Sequence, residues 1–269
     1  MPVAPEDWAP YAELDPAIPN PDYPDLDVAK MKRQMREYLA STSGVDRNLG
    51  RLLSLLDQLQ LAENTIVIFS SDHGYNMGHN GIWHKGNGIW ATKKPPGGTH
   101  HGTRVISSRY RPNMYDHSLR VPAIVRWPQV VAKGATIHHT ATSLDFFPTI
   151  VAMAHAELPT SQPVRGRSLL PLLRGQPPVD WNQDLYAHYH MINYAEADMQ
   201  CYRTPRFKLI RDVHNRDRDE FYDLLADPGE TSNLIASRRP EVLAAIGQLQ
   251  AKLDHQAELL RPITQKELR

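Results

Sequence analysis

The patterning of this chain predicts an α/β fold: a mixed sheet flanked by helices, followed by a small antiparallel sheet with its own helix. Three observations carry that expectation. An apolar stripe runs through Met31, Met35 and Leu39, then Val45, Leu49, Leu52, Leu53, Leu56 and Leu59, which is helical spacing. Ala62-Glu63-Asn64 turns the chain into Thr65-Ile-Val-Ile-Phe69, a short run rich in β-branched residues. Helix, tight turn and strand make an αβ unit, and an uninterrupted apolar strand reads as buried on both faces within a parallel or mixed sheet. Finally, strand-like segments over 185–191, 200–203, 207–212 and 220–224 precede a helix whose Val242, Ile246, Leu249 and Leu253 share one face.

Taken in order, residues 1–24 are rich in proline and acid without a period, and read as an irregular surface segment. A helix is expected from Asp25, interrupted at Ser41 to Gly44. Residues 74–114 read as one long loop rich in Gly and His, and loops of that length carry function or disorder. Arg120 to Trp127 and Ala135 to Thr142 read as strands, and Leu144 to Ala154 as a helix despite Pro148. Ser168 to Leu173 is a short apolar segment closed by Arg174-Gly-Gln-Pro-Pro. That Pro/Gly stretch sets a boundary, giving a domain over 1–178 and a small α+β subdomain over 179–269. Asp227-Pro-Gly is a turn, and Pro240 suits the first turn of the last helix.

Of 269 residues, 30 are Lys or Arg and 30 are Asp or Glu. That balance supplies no overall field for nucleic acid or an anionic membrane, so neither is expected as a partner. A binder of small anions needs only a local positive pocket. A single cysteine excludes an internal disulfide framework. No stretch approaches the ~18 apolar residues of a membrane helix. The opening Met-Pro-Val-Ala-Pro-Glu-Asp has neither the basic nor the apolar region of a signal peptide, which leaves localisation undetermined.

The candidate chemistry lies at the end of the central strand. In open α/β sheets ligands bind beyond the carboxyl ends of strands, and Thr65–Phe69 ends in Ser-Ser-Asp72-His73-Gly74. A carboxylate beside an imidazole makes a half-shell for a divalent cation. Lys85, thirteen residues on, is placed to return over the same point as a positive charge for an anion. The plainer alternative is a turn-capping Asp72, a packed His73 and a solvated Lys85. His79, His84, His100 and His101 invite a metal cluster, but nothing in the sequence fixes their geometry, and each alone reads as a loop histidine. His138 and His139 read as surface positions. Tyr186, His188 and His190 alternate along one side of a strand, where packing is the expectation.

In register, these segments resemble the sulfatase family of the alkaline-phosphatase superfamily. Tyr38-Leu-Ala-Ser-Thr-Ser-Gly-Val-Asp-Arg-Asn-Leu-Gly-Arg-Leu-Leu is similar to the helix before the family's metal strand. Ser71-Asp72-His73-Gly74 with Gly78 and Gly81 is similar to its metal turn, and His84-Lys85-Gly86 to its sulfate-binding lysine. Tyr115-Asp-His-Ser-Leu-Arg120-Val-Pro-Ala-Ile-Val-Arg-Trp-Pro, Asp145-Phe-Phe-Pro-Thr-Ile-Val, Gly166-Arg-Ser-Leu-Leu-Pro-Leu-Leu and Phe221-Tyr-Asp-Leu-Leu-Ala-Asp-Pro-Gly-Glu follow in family order. His79-Asn80 departs from the commoner Glu-His order at that point.

The resemblance implies sulfate-ester hydrolysis on a sulfated small molecule or glycan. Asp72 and His73 would supply part of the shell of a divalent metal, Ca²⁺ before Mg²⁺. Lys85 would bind sulfate and assist leaving-group departure. The family's nucleophile is a Cys or Ser in Cys/Ser-x-Pro-x-Arg, converted to formylglycine. It is expected outside this chain, because Cys201 reads Cys-Tyr-Arg-Thr-Pro-Arg, with the wrong spacing. The family's N-terminal Asp-Asp pair and upstream His have no counterpart either. The chain is therefore expected to be the C-terminal half of such an enzyme, in need of the missing half as partner and inactive alone. The fold implied is alkaline-phosphatase-like but incomplete. Two other readings stay open: a phosphoester hydrolase of the same superfamily, and an inert orphan half.

Overall fold

The computed structural model describes residues 3–267, apart from 95, 101–102, 106–108, 162 and 194. The chain forms two compact units that are interleaved in sequence. The first comprises Met1–Leu55, Ser71–Pro122 and Tyr186–Arg269; the second comprises Leu56–Ser70 and Ala123–Leu185. The contacts thus draw their divisions elsewhere than at 178/179. The reason is visible in the first unit, where Asp116 and Arg111, from the 71–122 segment, ion-pair with Arg203, Lys208 and Glu220 of the C-terminal sheet.

The first unit is introduced by α1, Val28–Gln58, a single helix of 31 residues. Asp27 caps it, its Oδ1 accepting the Lys30 N–H at 3.1 Å. The expected interruption at Ser41–Gly44 does not occur. The Ser41 and Thr42 hydroxyls donate back to the Glu37 and Tyr38 carbonyls at 2.8 and 2.9 Å, so these polar residues are absorbed without a break. Only the first half of the apolar stripe is well buried. Met31 is enclosed, whereas Val45, Leu52, Leu55 and Leu59 are exposed.

Four strands, β5 Leu185–Asn193, β6 Ala195–Arg203, β7 Phe207–Asp212 and β8 Glu220–Asp223, form a sheet in that order. The β6–β7 and β7–β8 pairs are antiparallel, with Cys201 opposite Ile210 and Leu209 opposite Phe221. Period-two alternation then sorts the side chains. Met199, Cys201, Ile210 and Tyr222 enter a core with Ile18, Tyr23, Met31, Ile82 and Met114. Tyr202, Leu209 and Phe221 take the other face, covered by Val242, Ala245, Leu249 and Leu253 of the final helix, Pro240–Glu267. The small antiparallel sheet with its helix is as the patterning predicts. Between these segments lie a short hairpin, β2 Gly98–His100 with β3 Thr103–Val105, and α2, Asp116–Leu119.

The second unit corrects two expectations. β1, Val67–Ser70, is half-buried along its length and pairs antiparallel with β4, Ala123–Arg126, with Ile68 opposite Val125. Among the described residues it has no other strand neighbour, so it is not a strand buried on both faces of a parallel sheet. A β-branched run specifies extended backbone, while the partner and the cover on each face come from elsewhere in the chain. The strand expected over Ala135–Thr142 is also absent. Thr140 bonds the side chain and carbonyl of Gln183 at 2.7 and 2.9 Å and accepts from Trp181 Nε1 at 2.9 Å, so this backbone is satisfied by side chains and not by a ladder.

The expected helix near Leu144 is present as a tight turn, Ser143–Asp145, running into α3, Phe146–Met153. Thr142 and Asp145 close a capping box, and Pro148 sits in the first turn, where its missing N–H costs nothing. Leu169, Leu172, Leu173 and Trp181 form this unit's core with Val125, Val131 and Met153. No helix among the described residues is long and apolar enough to cross a membrane.

Candidate active site

Asp72 and His73 follow β1 on a turn held against α2. The Gly74 N–H donates to the Ser118 carbonyl at 2.9 Å. A Cβ on Gly74 would lie 2.2 Å from the His117 carbonyl oxygen, so only glycine lets the turn come this close. Buried Asn76 then closes the loop on itself. Its side-chain amide donates to the His84 carbonyl at 2.5 Å and to the Ser118 hydroxyl at 2.7 Å. The backbone bonds Met77 N to Trp83 O and Gly78 N to Ile82 O draw the two limbs together. This closure brings the His84 backbone beside Asn76, three residues after His73.

His73 Nδ1 lies 2.9 Å from the Gly74 carbonyl. A carbonyl only accepts, so Nδ1 carries the proton and Nε2 presents its lone pair. That Nε2 faces Asp72 Oδ2 at 3.4 Å. Two lone-pair donors directed at each other in this way favour a proton or a cation between them. The pair meets the expectation that the two side chains converge. One hard oxygen and one imidazole nitrogen fit a divalent ion as a half-shell. Among the described residues no three His, Cys, Asp or Glu side chains gather as a larger metal-ligating group.

His84 reports what surrounds it. Its Nδ1 is 3.1 Å from Asn87 Oδ1. Its pKa is pushed down by burial first, against the Asn87 bond, and further by the charges of Lys85 and His73. Lys85 is half-buried, and among the described residues its ammonium has neither an ion pair nor a hydrogen bond. Among the described residues no ion pair joins Lys85 to Asp72. Asp72 is 81% exposed in its side chain, faces His73 and accepts from the Ser71 hydroxyl at 3.5 Å.

The other histidines divide. His79 is buried, bonded through Nε2 to the Gly229 carbonyl at 2.5 Å and stacked on His117 at 4.3 Å, so it is a packing residue. Burial is the main force driving it down to about 4. His101 and the side chain of His100 lie outside the described residues. His138 is exposed and His139 half-buried. His188 bonds Asp198 at 2.7 Å on a half-exposed face of β5. Cys201 is fully buried, and burial raises its thiol to about 12, which makes it an inert core residue.

Behind the site sits a buried ionic cluster that sequence reading missed. Lys208 Nζ lies 2.9 Å from Asp116 Oδ1 and 2.6 Å from Glu230 Oε1. Arg203 grips Asp116 with Nε and Nη2, and the Asp116 N–H donates to Glu230 Oε2 at 2.6 Å. Burial opposes ionisation of Asp116, but Lys208 and Arg203 outweigh it and hold the carboxyl down at about 2. Arg111, Tyr115 and Glu220 form a second buried group, Arg111 donating to both partners. These groups fix α2, and through Gly74 and Asn76 they fix the site turn. The only sequence signal was the Tyr115-Asp116-His string.

Comparisons with known proteins show the family. The family model described as Sulfatase matches residues 2–156, and that described as N-sulphoglucosamine sulphohydrolase, C-terminal, matches residues 109–258. The chain belongs to the sulfatase family. An N-acetylglucosamine-6-O-sulfatase of Bacteroides thetaiotaomicron is 31% identical over 230 residues, covering 82% of this chain and 36% of the relative. A structure solved in complex with its substrate D-glucosamine-2-N,6-O-disulfate superposes at a TM-score of 0.65 with 28% identity, over 85% of this chain and 42% of the other. The phosphonate monoester hydrolase of Agrobacterium radiobacter, at 21% identity and a TM-score of 0.68 over 87% of this chain and 43% of its own, shares the fold. This sulfatase chain thus spans about two fifths of the length of the proteins it matches.

One sequence expectation needs correcting within that family. A string with the Ser-x-Pro-x-Arg spacing is present after all, Ser161-Gln-Pro-Val-Arg165. Ser161 is exposed, between α3 and the helical turn Leu170–Leu173, in the second unit, whereas Asp72 and Lys85 belong to the first. Among the described residues no hydrogen bond reaches its hydroxyl, so no base activates it.

Proposed function

We propose that this chain contributes the anion-binding and part of the metal-binding machinery for hydrolysis of sulfate esters. The reading is supported by the Asp72–His73 pair and by a half-buried Lys85, on the loop that follows it, whose ammonium has no ion pair or hydrogen bond among the described residues. A cation withdrawn from water without a counter-ion is costly, and a sulfate oxygen would relieve it. Lys85 would hold a non-bridging oxygen, and its proton would favour departure of the alcohol. Asp72 and His73 would hold Ca²⁺, or Mg²⁺, in the lone-pair gap between them; the ion would add positive charge at the sulfate oxygens. Water cleaves the S–O bond overall, giving the alcohol, sulfate and a proton. The in-line nucleophile is assigned to neither Cys201, which is buried and protonated, nor Ser161, which is exposed and whose hydroxyl has no hydrogen bond among the described residues.

The substrate class follows the relatives: a sulfated sugar or other sulfated small molecule. A phosphoester or phosphonate reading draws on the shared fold of the phosphonate monoester hydrolase, but the C-terminal family model over 109–258 favours sulfate. The test pairs two assays with an aryl sulfate, its phosphate analogue and Ca²⁺. The first uses this chain alone. The second uses the chain co-expressed with a polypeptide bearing Cys/Ser-x-Pro-x-Arg and a formylglycine-generating system. We expect sulfate turnover only in the second, lost in Lys85→Ala and Asp72→Ala. Turnover by the chain alone, or phosphate preferred over sulfate, would overturn the proposal.

A further inference from the structure

The Lys85 site borders a feature that sulfate chemistry alone does not use. The His84 ring meets Tyr75 edge-on at 5.2 Å and Trp83 at 5.8 Å. Tyr75 in turn meets Trp83 at 6.2 Å and Tyr38 at 6.3 Å. The four rings make one continuous aromatic patch within the first unit. Tyr75, Trp83 and His84 are half-buried, and Tyr38 is 44% exposed. On the Trp83 side, Lys30 Nζ stands 6.0 Å from the ring centroid. Lys30 and Tyr38 are eight residues apart on α1, which places them on one helix face.

Core packing accounts for Trp83, which rests against the main apolar cluster. It does not account for the remainder. Among the described residues the Lys30 ammonium, like that of Lys85, has no ion pair and no hydrogen bond, and the Tyr75 hydroxyl has none either. Lys30 over Trp83, and Lys85 next in sequence to His84, give this aromatic surface two cations with no carboxylate partner among the described residues, which suits a flat ring carrying two anionic groups.

We propose that Tyr75, Tyr38, Trp83 and His84 form the leaving-group subsite, and that its occupant is a sugar ring bearing at least two anionic substituents. The reactive sulfate sits at Lys85. The ring lies on the aromatic patch through its C–H face, and the second anionic group reaches Lys30. A neutral sterol or simple aryl group would use the patch and leave Lys30 without a partner. The inference rests on the reading of Lys85 as the sulfate binder, and the experiment separates the two.

The full 269-residue chain is titrated calorimetrically with inorganic sulfate, phenyl sulfate, glucosamine-6-O-sulfate and D-glucosamine-2-N,6-O-disulfate. The disulfated sugar should bind tightest. Lys30→Ala should weaken it about tenfold, to the level of the monosulfated sugar, whose own affinity moves less than about twofold. Tyr75→Leu should weaken both sugars roughly three- to tenfold and leave inorganic sulfate alone. Lys85→Ala should weaken all four ligands, and far-UV circular dichroism checks that each variant is folded. If Lys85→Ala weakens sulfate but Lys30→Ala and Tyr75→Leu change no sugar, the subsite is wrong and the sulfate site stands. If phenyl sulfate binds as tightly as the disulfated sugar, the assigned substrate class is wrong. If Lys85→Ala leaves every ligand unchanged, or no ligand binds, both readings fall.

Discussion

The first unit holds two groups of charged residues that obey opposite rules. Asp116, Lys208 and Glu230 are buried, Arg203 is half-buried beside them, and each charge meets an opposite one within 3.0 Å. Asp72, His73 and Lys85 sit on a turn and loop, and Lys85 meets none among the described residues. Fold stability explains the first group: a buried ion survives only when paired. It does not explain the second, since a half-buried ammonium without a counter-ion lowers stability. Charges that a fold leaves unpaired at a cost point to a ligand, while paired ones point inward to structure. The comparison also assigns a division of labour. The buried group pins α2, and α2 holds the site turn through the Gly74 and Asn76 bonds.

The largest effect should come from breaking the buried group. Lys208→Met leaves Glu230 buried without its cation and should cost about 3–5 kcal/mol in urea unfolding. A cost below ~1 kcal/mol would erase the contrast between the two groups. Next comes pH. His79 is driven down to about 4 from an ordinary ~6.5. In that window the unfolded chain binds a proton that the folded chain refuses, so stability falls as pH drops from ~6.5 to ~4, by at most ~3 kcal/mol. Below that, Asp116, held at about 2, adds a further loss as pH falls from ~3.8 toward 2. Thermal melts of wild type and His79→Gln at pH 7 and 4.5 check the first window; the variant should show a smaller drop between the two.

Lys85→Ala should behave in the opposite sense to Lys208→Met. We expect a stability change within about 0.5 kcal/mol, or a slight gain, together with loss of the stabilisation that added sulfate gives the wild type. A large destabilisation by Lys85→Ala would mean that the lysine is structural. The smallest effect belongs to Ser161→Ala, which should alter neither unfolding nor turnover of the completed enzyme. Loss of turnover there would make Ser161 the nucleophile and reverse the assignment to the second unit's surface.

Local pattern carried much of the architecture. β7 falls at 207–212 and the final helix starts at Pro240 as the sequence predicts, because period-two alternation and a proline at a first helical turn are properties of a few neighbouring residues. Asp72 and His73 converge because they are adjacent on one turn. Where the expectation failed, the deciding partner was distant. The Ser41–Gly44 polar run looked like a break, yet its hydroxyls bond back to the helix. Ala135–Thr142 looked like a strand, yet Gln183 and Trp181 took its backbone groups.

The sequence by itself determined the family and the alternation of the C-terminal sheet, and put Asp72 and His73 together on one turn. Tertiary structure alone decided that β1 pairs antiparallel with β4, that Asn76 holds the His84 backbone, and that Lys208 is doubly paired while Lys85 has no ion pair among the described residues. The physical reason is separation along the chain. Asp116 meets Lys208 across 92 residues, and His79 meets Gly229 across 150. Contacts of that span leave no periodic trace in the sequence, because they depend on which surfaces remain to be buried once the local elements have formed.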